Sequence, residues 1–230
     1  MKDFIIFKNL DNKYITLPEY VEANKEKAND KVYYVTDLQQ QSQYVNMFKA
    51  EGIDALVLSH NIDQPFISQL EQQDDKIHFQ RIDADITDSF KEEVKEGEEA
   101  DKIKEETDAL TELFRKVLNN DKLEVKVEKL KNEEVSSMVT LSEESRRMQD
   151  MMRMYNMAGM DPSMFGTSVT LVLNANNKLV QYIFEHKDDD VSIFCEQLYD
   201  LALLSQRPLD PEAMTKFISR SNEIMLKMAK

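Results

Sequence analysis

KVYYVTDLQQQSQYVNMFKAEGIDALVLS, residues 31 to 59, is the stretch whose reading decides the fold. Val32 to Thr36 is a short β-branched and aromatic run, the composition of a strand. From about Leu38 to Ala50 the apolar residues fall at helical spacing, and Gly52 supplies the stop. Ile53 to Leu58 repeats the strand signal. Upstream, Phe4 to Phe7 reads as a strand, Asp11-Asn12-Lys13 as a turn, and TLPEYVEANKEKA as a helix running to about Ala28, with Thr16 as cap and Pro18 in the first turn. Downstream, Asp63 to Gln73 reads as a further helix and KIHFQRI as a third strand. Strand, helix, strand, helix, strand with short connections is the pattern of a small parallel sheet flanked by helices, here an α/β domain over residues 1–86.

Composition then shifts. Between Asp85 and Asp108 eleven acidic residues stand against four lysines, and large apolar residues are few. Residues 87–107 therefore read as an acidic linker or exposed helix between two domains. Residues 108–230 form the second domain, of α+β type. Leu110, Leu113, Phe114, Val117 and Leu118 lie at helical spacing, Leu123 to Leu130 alternates as a strand does, and VSSMVTL and SVTLVLN are extended runs. Two helices close the chain, Val191 to Gln206 and Pro211 to Lys227, separated by Arg207-Pro208-Leu209.

Seven methionines lie between Met148 and Met164. On a helix begun by Ser142, with Glu143 and Glu144 in its first turn, Met148, Met151, Met152, Met154 and Tyr155 share an arc roughly 160° wide. Thioether side chains are unbranched and polarizable, so such a face can repack against many shapes. It can equally be core. The two closing helices leave the same question open: Phe194, Leu198 and Leu201 form one stripe, and Met214, Phe217, Ile218, Ile224 and Met225 another. Burying six to eight of these between two copies, at roughly 1.5–3 kcal/mol each before entropy, would hold a dimer; a hairpin folded onto its own sheet would use them within one chain.

The totals exclude several classes. A net charge of −15 disfavours nucleic acid and anionic membranes as partners. No apolar run is long enough for a membrane span, and the lone Cys195 fits a reducing, cytoplasmic setting. No catalytic constellation stands out. His60, His78 and His186 lack ligand spacing, Cys195 sits on an apolar helical stripe as an inert thiol would, and Asp188-Asp189-Asp190 precedes a helix as first-turn charges do. Four glycines make no phosphate-cradling loop, so neither cofactor nor metal is expected in this chain. An enzyme reading would place a site at the carboxyl edge of the first sheet, near Thr36-Asp37 and Ser59-His60. A purely structural dimerisation scaffold is a further alternative.

Several stretches, taken in order, resemble the heat-shock protein 90 chaperones, their bacterial members above all: TLPEYVE with KVYYVTD, EGIDALVLSHNIDQPFISQL, ALTELFRKVL, ESRRMQDMMRM, and LYDLALLSQRPLDPEAMTKFISRSNEIM. The resemblance implies that the first domain is the closing α/β part of the family's middle domain, and the second its carboxyl-terminal dimerisation domain. It implies a homodimer through the last two helices and contact with non-native client proteins through Met148, Met151, Met154 and Tyr155. ATP and magnesium would then belong to a longer protein, and the chain opening directly in a strand-like segment is the start expected of a fragment. In place of the tryptophan that bacterial members often carry after the Ile62-Asp63 pair stands Gln64-Pro65-Phe66, which offers Phe66 as the client contact there. The family's proline is missing around Ser136-Ser137-Met138. The ending Met228-Ala229-Lys230 lacks the acidic EEVD tail, which argues against tetratricopeptide co-chaperones.

Overall fold

The computed structural model describes residues 5–28, 31–60, 62–74, 76–84, 90–94, 97–141 and 169–229. The chain divides into two compact units, one containing residues 1–89 and the other residues 90–140 with 168–230. The first opens as an antiparallel hairpin, β1 (Ile6–Lys8) with β2 (Tyr14–Thr16), where Phe7 faces Ile15. Then follow α1 (Leu17–Asn24), β3 (Lys31–Val35), α2 (Ser42–Ala50), β4 (Leu56–Val57), α3 (Asp63–Gln73) and β5 (His78–Arg81). β3 is the centre of a three-stranded sheet in the order β4-β3-β5, parallel on both sides, with Tyr34 opposite Leu56 and Val32 opposite Phe79. A central parallel strand is covered on both faces, which is why Val32 to Val35 are all buried.

Several expected boundaries move, each with a hydrogen-bonding reason. α1 starts where Thr16 predicts, with a full capping box: Thr16 Oγ1 accepts from the Glu19 amide at 3.4 Å and Glu19 Oε2 accepts from the Thr16 amide at 2.7 Å. It ends at Asn24 rather than Ala28. The Asn24 side chain is used inside the fold, donating to Tyr20 O at 2.9 Å and accepting from the Asp54 amide at 2.9 Å. α2 begins at Ser42 rather than Leu38, because the buried Gln41 accepts the Thr36 and Asp37 amides while Asp37 Oδ1 accepts those of Gln39 and Gln40. Only Leu56 and Val57 of the expected strand join the sheet. Asp54 instead takes the Leu10 and Ala55 amides onto its carboxylate. Gly52 closes α2 at φ +64°, a backbone conformation open to glycine at no steric cost. β2 hides between turn and cap and gave no signal of its own.

The second unit is built from α4 (Glu98–Leu118), β6 (Glu124–Glu128), β7 (Ser137–Leu141), β8 (Val169–Asn174), α5 (Lys178–Glu185), α6 (Ser192–Leu204) and α7 (Pro211–Met228). Half of the acidic stretch is thus helix: Glu98, Glu99 and Asp101 occupy the first turn of α4, at the positive end of its dipole. Asn119, at φ 49°, ends that helix in the left-handed conformation that asparagine tolerates. The sheet order is β6-β8-β7, with β6 parallel to β8 and Val125 facing Leu171. Leu110 and Phe114 of α4, Val180 and Ile183 of α5, and Cys195, Leu198 and Ala202 of α6 share one core with Val125, Val127, Leu171 and Leu173 of the sheet.

One buried side chain ties the sheet to its connecting loop. Asn174 Oδ1 accepts the Leu130 and Asn176 amides at 3.0 Å each, and Nδ2 donates to Asn132 O at 2.9 Å and Val135 O at 2.8 Å. All four hydrogen-bonding positions of the amide are therefore used, so its burial carries little penalty and fixes the 130–135 loop.

Candidate functional site

α7 is well begun and poorly buried. Asp210 Oδ1 accepts the Glu212 and Ala213 amides at 3.0 and 2.9 Å, and Pro211 fills the first helical position. Over its 18 residues none is buried. Yet Met214, Phe217 and Ile218, and again Ile224, Met225 and Met228, fall at three- and four-residue spacing, the two groups seven residues apart on the same face. Met214, Phe217 and Ile224 are half-buried, whereas Ile218 is 53% and Met225 58% exposed, and Leu226 and Met228 are exposed as well.

What fixes α7 to α6 is polar. The Arg220 guanidinium reaches four acceptors on α6: Nη1 meets Glu196 Oε2 at 2.8 Å, Nε donates to Gln197 Oε1 at 3.0 Å, and Nη2 donates to Glu196 O at 3.2 Å and to the Asp200 carboxylate. Gln197 Nε2 adds a bond to Ser221 Oγ at 3.0 Å. Glu196 and Asp200 stand one helical turn apart, so a single planar fork spans both. Burial raises the Asp200 pKa, and Arg220 offsets only part of that rise. Sequence reading passed over Arg220 because an arginine on an apolar stripe looks like an interruption; the signal was the pair of acids four residues apart on the preceding helix.

The proposed interface residues separate into groups. Phe194 is half-buried and packs against the core, Leu201 is exposed, and Met214, Phe217, Ile218, Ile224 and Met225 lie as described above. Leu198 departs from its expected place. At 1% exposure it belongs to the chain's own core and holds α6 to the sheet, because α6 turns Cys195, Leu198, Ala202 and Leu203 inward and leaves Leu201 outside. Among the proposed client contacts, Met148, Met151, Met154 and Tyr155 lie outside the described residues. Phe66 is 38% exposed on α3, its ring centroid 6.3 Å from that of Phe7, and Ile62, one turn earlier, is more exposed still.

Among the described residues, the candidate catalytic groups of the sequence lie in separate places. At the carboxyl edge of the first sheet, Thr36 and Asp37 cap the loop before α2, while His60 is a solvent-facing ring 3.6 Å from Asp63. Cys195 is buried and its thiol is pushed up to about 12 by that burial. Asp190 is held below the usual carboxylate range by the hydroxyl and amide of Ser192. A cleft of about 830 Å³ runs along α6 and α7, lined by Asp190, Glu196, Asp200, Lys216, Arg220 and Glu223; Arg220 pairs with Glu196 and Asp200, Lys216 with Glu212, and Glu223 with Lys227. The β3-to-α2 turn has no glycine and turns its amides onto Gln41 and Asp37, and the described residues contain no cluster of three or more His, Cys, Asp or Glu that could hold a metal. No helix among them is long and apolar enough to cross a membrane.

Two units of helices and sheet, the second ending in a helix, α7, that buries none of its residues, are the class this structure defines. The family model described as "Hsp90 protein" matches residues 1–230, and the chain belongs to that family. Among curated relatives it is 30% identical to the "Chaperone protein HtpG" of Bacteroides thetaiotaomicron over 80% of this chain and 28% of that protein. It is 31% identical to the Bacteroides fragilis (strain YCH46) protein of the same name over 82% of this chain and 29% of the relative, and 27% identical to that of Colwellia psychrerythraea over 94% and 33%. The chain thus spans between about a quarter and a third of the length of these relatives.

Proposed function

We propose that this chain is the dimerising, client-contacting segment of a molecular chaperone. In this reading residues 1–86 are the closing part of a middle domain, 87–107 a connector, and 108–230 the dimerisation domain of a cytoplasmic protein whose ATP-driven cycle is run by regions beyond this chain. The observation that carries it is α7, 18 residues with an apolar stripe and no buried side chain. A helix of that length stays folded mainly by packing its apolar face, so the face has an occupant in the working protein. A second copy meets it symmetrically, α6 and α7 of one protomer against those of its partner. Two methionine-rich faces and two copies of Phe66 then bind non-native chains together, each contact weak and the sum useful through effective concentration. The relatives' shared name, "Chaperone protein HtpG", supports the same assignment.

Sedimentation equilibrium at low micromolar concentration tests the dimer, and a strictly monomeric species defeats it. For client binding, Met154→Asp is expected to weaken association with an unfolded model protein while leaving dimerisation intact. Unchanged affinity removes that stretch from the client surface.

A further inference from the structure

α4 and α5 pack on the same core and leave between them a cavity of about 400 Å³, at the small end of the roughly 300–1,000 Å³ typical of small-molecule sites. Its floor is apolar: Leu110 and Val180 are buried, and Ile103 and Phe184 are half-buried against the same core. Its amides offer acceptors. The Asn176 and Gln181 side-chain nitrogens are turned to the backbone, onto Leu130 O at 3.0 Å and Ala175 O at 2.8 Å, and neither amide oxygen has a donor among the described residues. An apolar floor with a few placed polar groups is the make-up of a ligand site.

Glu106 is the group in this cavity that lacks a counterpart. Lys129 on the opposite wall is bonded to Glu99, and the half-buried Glu106 carboxylate takes neither a hydrogen bond nor an ion pair from the described residues. Lys102 and Lys129 act on it only at longer range, and burial outweighs them, so its carboxyl is raised above the usual glutamate range. We propose that the cavity binds a small organic cation, an ammonium or guanidinium carried on an aromatic or aliphatic body, with Glu106 as its counter-ion.

Three features select a cation over a neutral or anionic ligand. The lining carries three carboxylates, Glu99, Glu106 and Glu185, against two lysines, Lys102 and Lys129, so a single positive charge brings it to neutrality. An anion would meet Glu106 directly and the field of a chain at −15 besides. A neutral ligand would fill the floor but leave Glu106 desolvated without a partner, which costs free energy that a cation recovers. The Phe184 ring, finally, attracts positive charge to its faces and already receives one, Lys187 Nζ, at 4.7 Å from its centroid. None of the lining residues lies on α6 or α7, so this inference stands or falls apart from the dimer reading.

The test uses the chain as it stands. The probe is 2-phenylethylammonium, with 2-phenylethanol as its neutral counterpart and 3-phenylpropanoate as its anionic one, each titrated at pH 7 and followed by backbone amide NMR shifts. Saturable shifts are expected at residues 103–110 and 175–185, with the cation bound about tenfold or more tighter than the alcohol and the anion not bound. Glu106→Gln keeps the length of the side chain and is expected to bring the cation's affinity down to that of the alcohol while leaving the alcohol's unchanged. Ile103→Trp, which puts bulk into the cavity, is expected to weaken both. Equal affinities for cation and alcohol in the wild type, or a preference for the cation that survives Glu106→Gln, overturn the proposal. Shifts confined to residues 148–164 overturn it as well, since the methionines would then be what takes up the probe. Should Ile103→Trp fail to fold, Glu106→Gln decides alone, because replacing a half-buried charge by a neutral amide is not expected to unfold the unit.

Discussion

α2 buries Tyr44, Val45, Met47 and Phe48 within nine residues, whereas α7, twice as long, buries none. Both carry an apolar face, so amphipathicity does not separate them; what lies beneath the face does. α2 closes over its own sheet, with Phe48 against the Tyr33 ring of the central strand at 4.9 Å, so its stability is a property of one chain. α7 touches its chain chiefly through α6, and does so with an arginine fork that leaves much of the hydrophobic stripe in solvent. Polar attachment sets an angle without consuming apolar surface. On the proposed reading, that arrangement leaves the stripe open for a second copy.

The sharpest way to break this contrast is to cut the same kind of side chain on either side of it. Leu198→Ala removes a core leucine and is expected to destabilise the second unit by about 2–5 kcal/mol, at any protein concentration. Met225→Ala, in a sample dilute enough to be monomeric, is expected to shift stability by no more than about 0.5 kcal/mol. Urea unfolding of both variants reads the difference. Similar losses in the two would mean that α7 is held by its own chain after all.

Arg220 is the next most consequential position. Arg220→Ala leaves the Asp200 carboxylate, 14% exposed, without its partner, while Glu196, at 42%, recovers much of its loss from water. A cost of about 1–3 kcal/mol is expected, most of it from Asp200. Because burial already raises that carboxyl and Arg220 is what opposes the rise, the variant should titrate Asp200 at higher pH still. An NMR titration in which Asp200 does not move upward would dismiss the clamp as an energetic feature.

Sequence legibility followed the same division. The β3-α2-β4 stretch could be read because Val, Tyr and Phe on a parallel strand have one destination, and α3 fell on Asp63–Gln73 as its periodicity indicates. A helix end tied by side-chain hydrogen bonds to distant residues could not be read, since Asn24 with Asp54 is a pairing across thirty positions. α5 escaped because its eight residues show only Val180 and Ile183 as an inward pair; the cue was Asn177, whose side chain caps it by accepting from the Leu179 amide. Leu198 was assigned to the surface stripe because spacing identifies an apolar face but not which edge of it turns inward. For Met148, Met151, Met154 and Tyr155 the sequence remains the whole basis of the reading.

The smallest expected effect concerns α4, the acidic helix that lies on the closed side of the comparison. Glu106 sits beside Ile103 and Leu110 in a cavity of about 400 Å³, next to Val180 and Phe184 of α5. Burial raises its pKa, and Lys102 and Lys129 pull it part of the way back. With the folded-state pKa above the unfolded one, the folded unit binds the extra proton, so this group's contribution to stability is best at low pH and declines as pH rises through the raised value. Glu106→Gln removes the charged form. The variant is therefore expected to gain on the wild type at pH 7 and to match it near pH 4, below the ordinary glutamate range of about 4.3. Urea midpoints at the two pH values decide it. A wild-type protein that loses more at pH 4 than the variant would place the carboxylate in a favourable ion pair instead, and make Lys129, already bonded to Glu99, the stronger influence on this face.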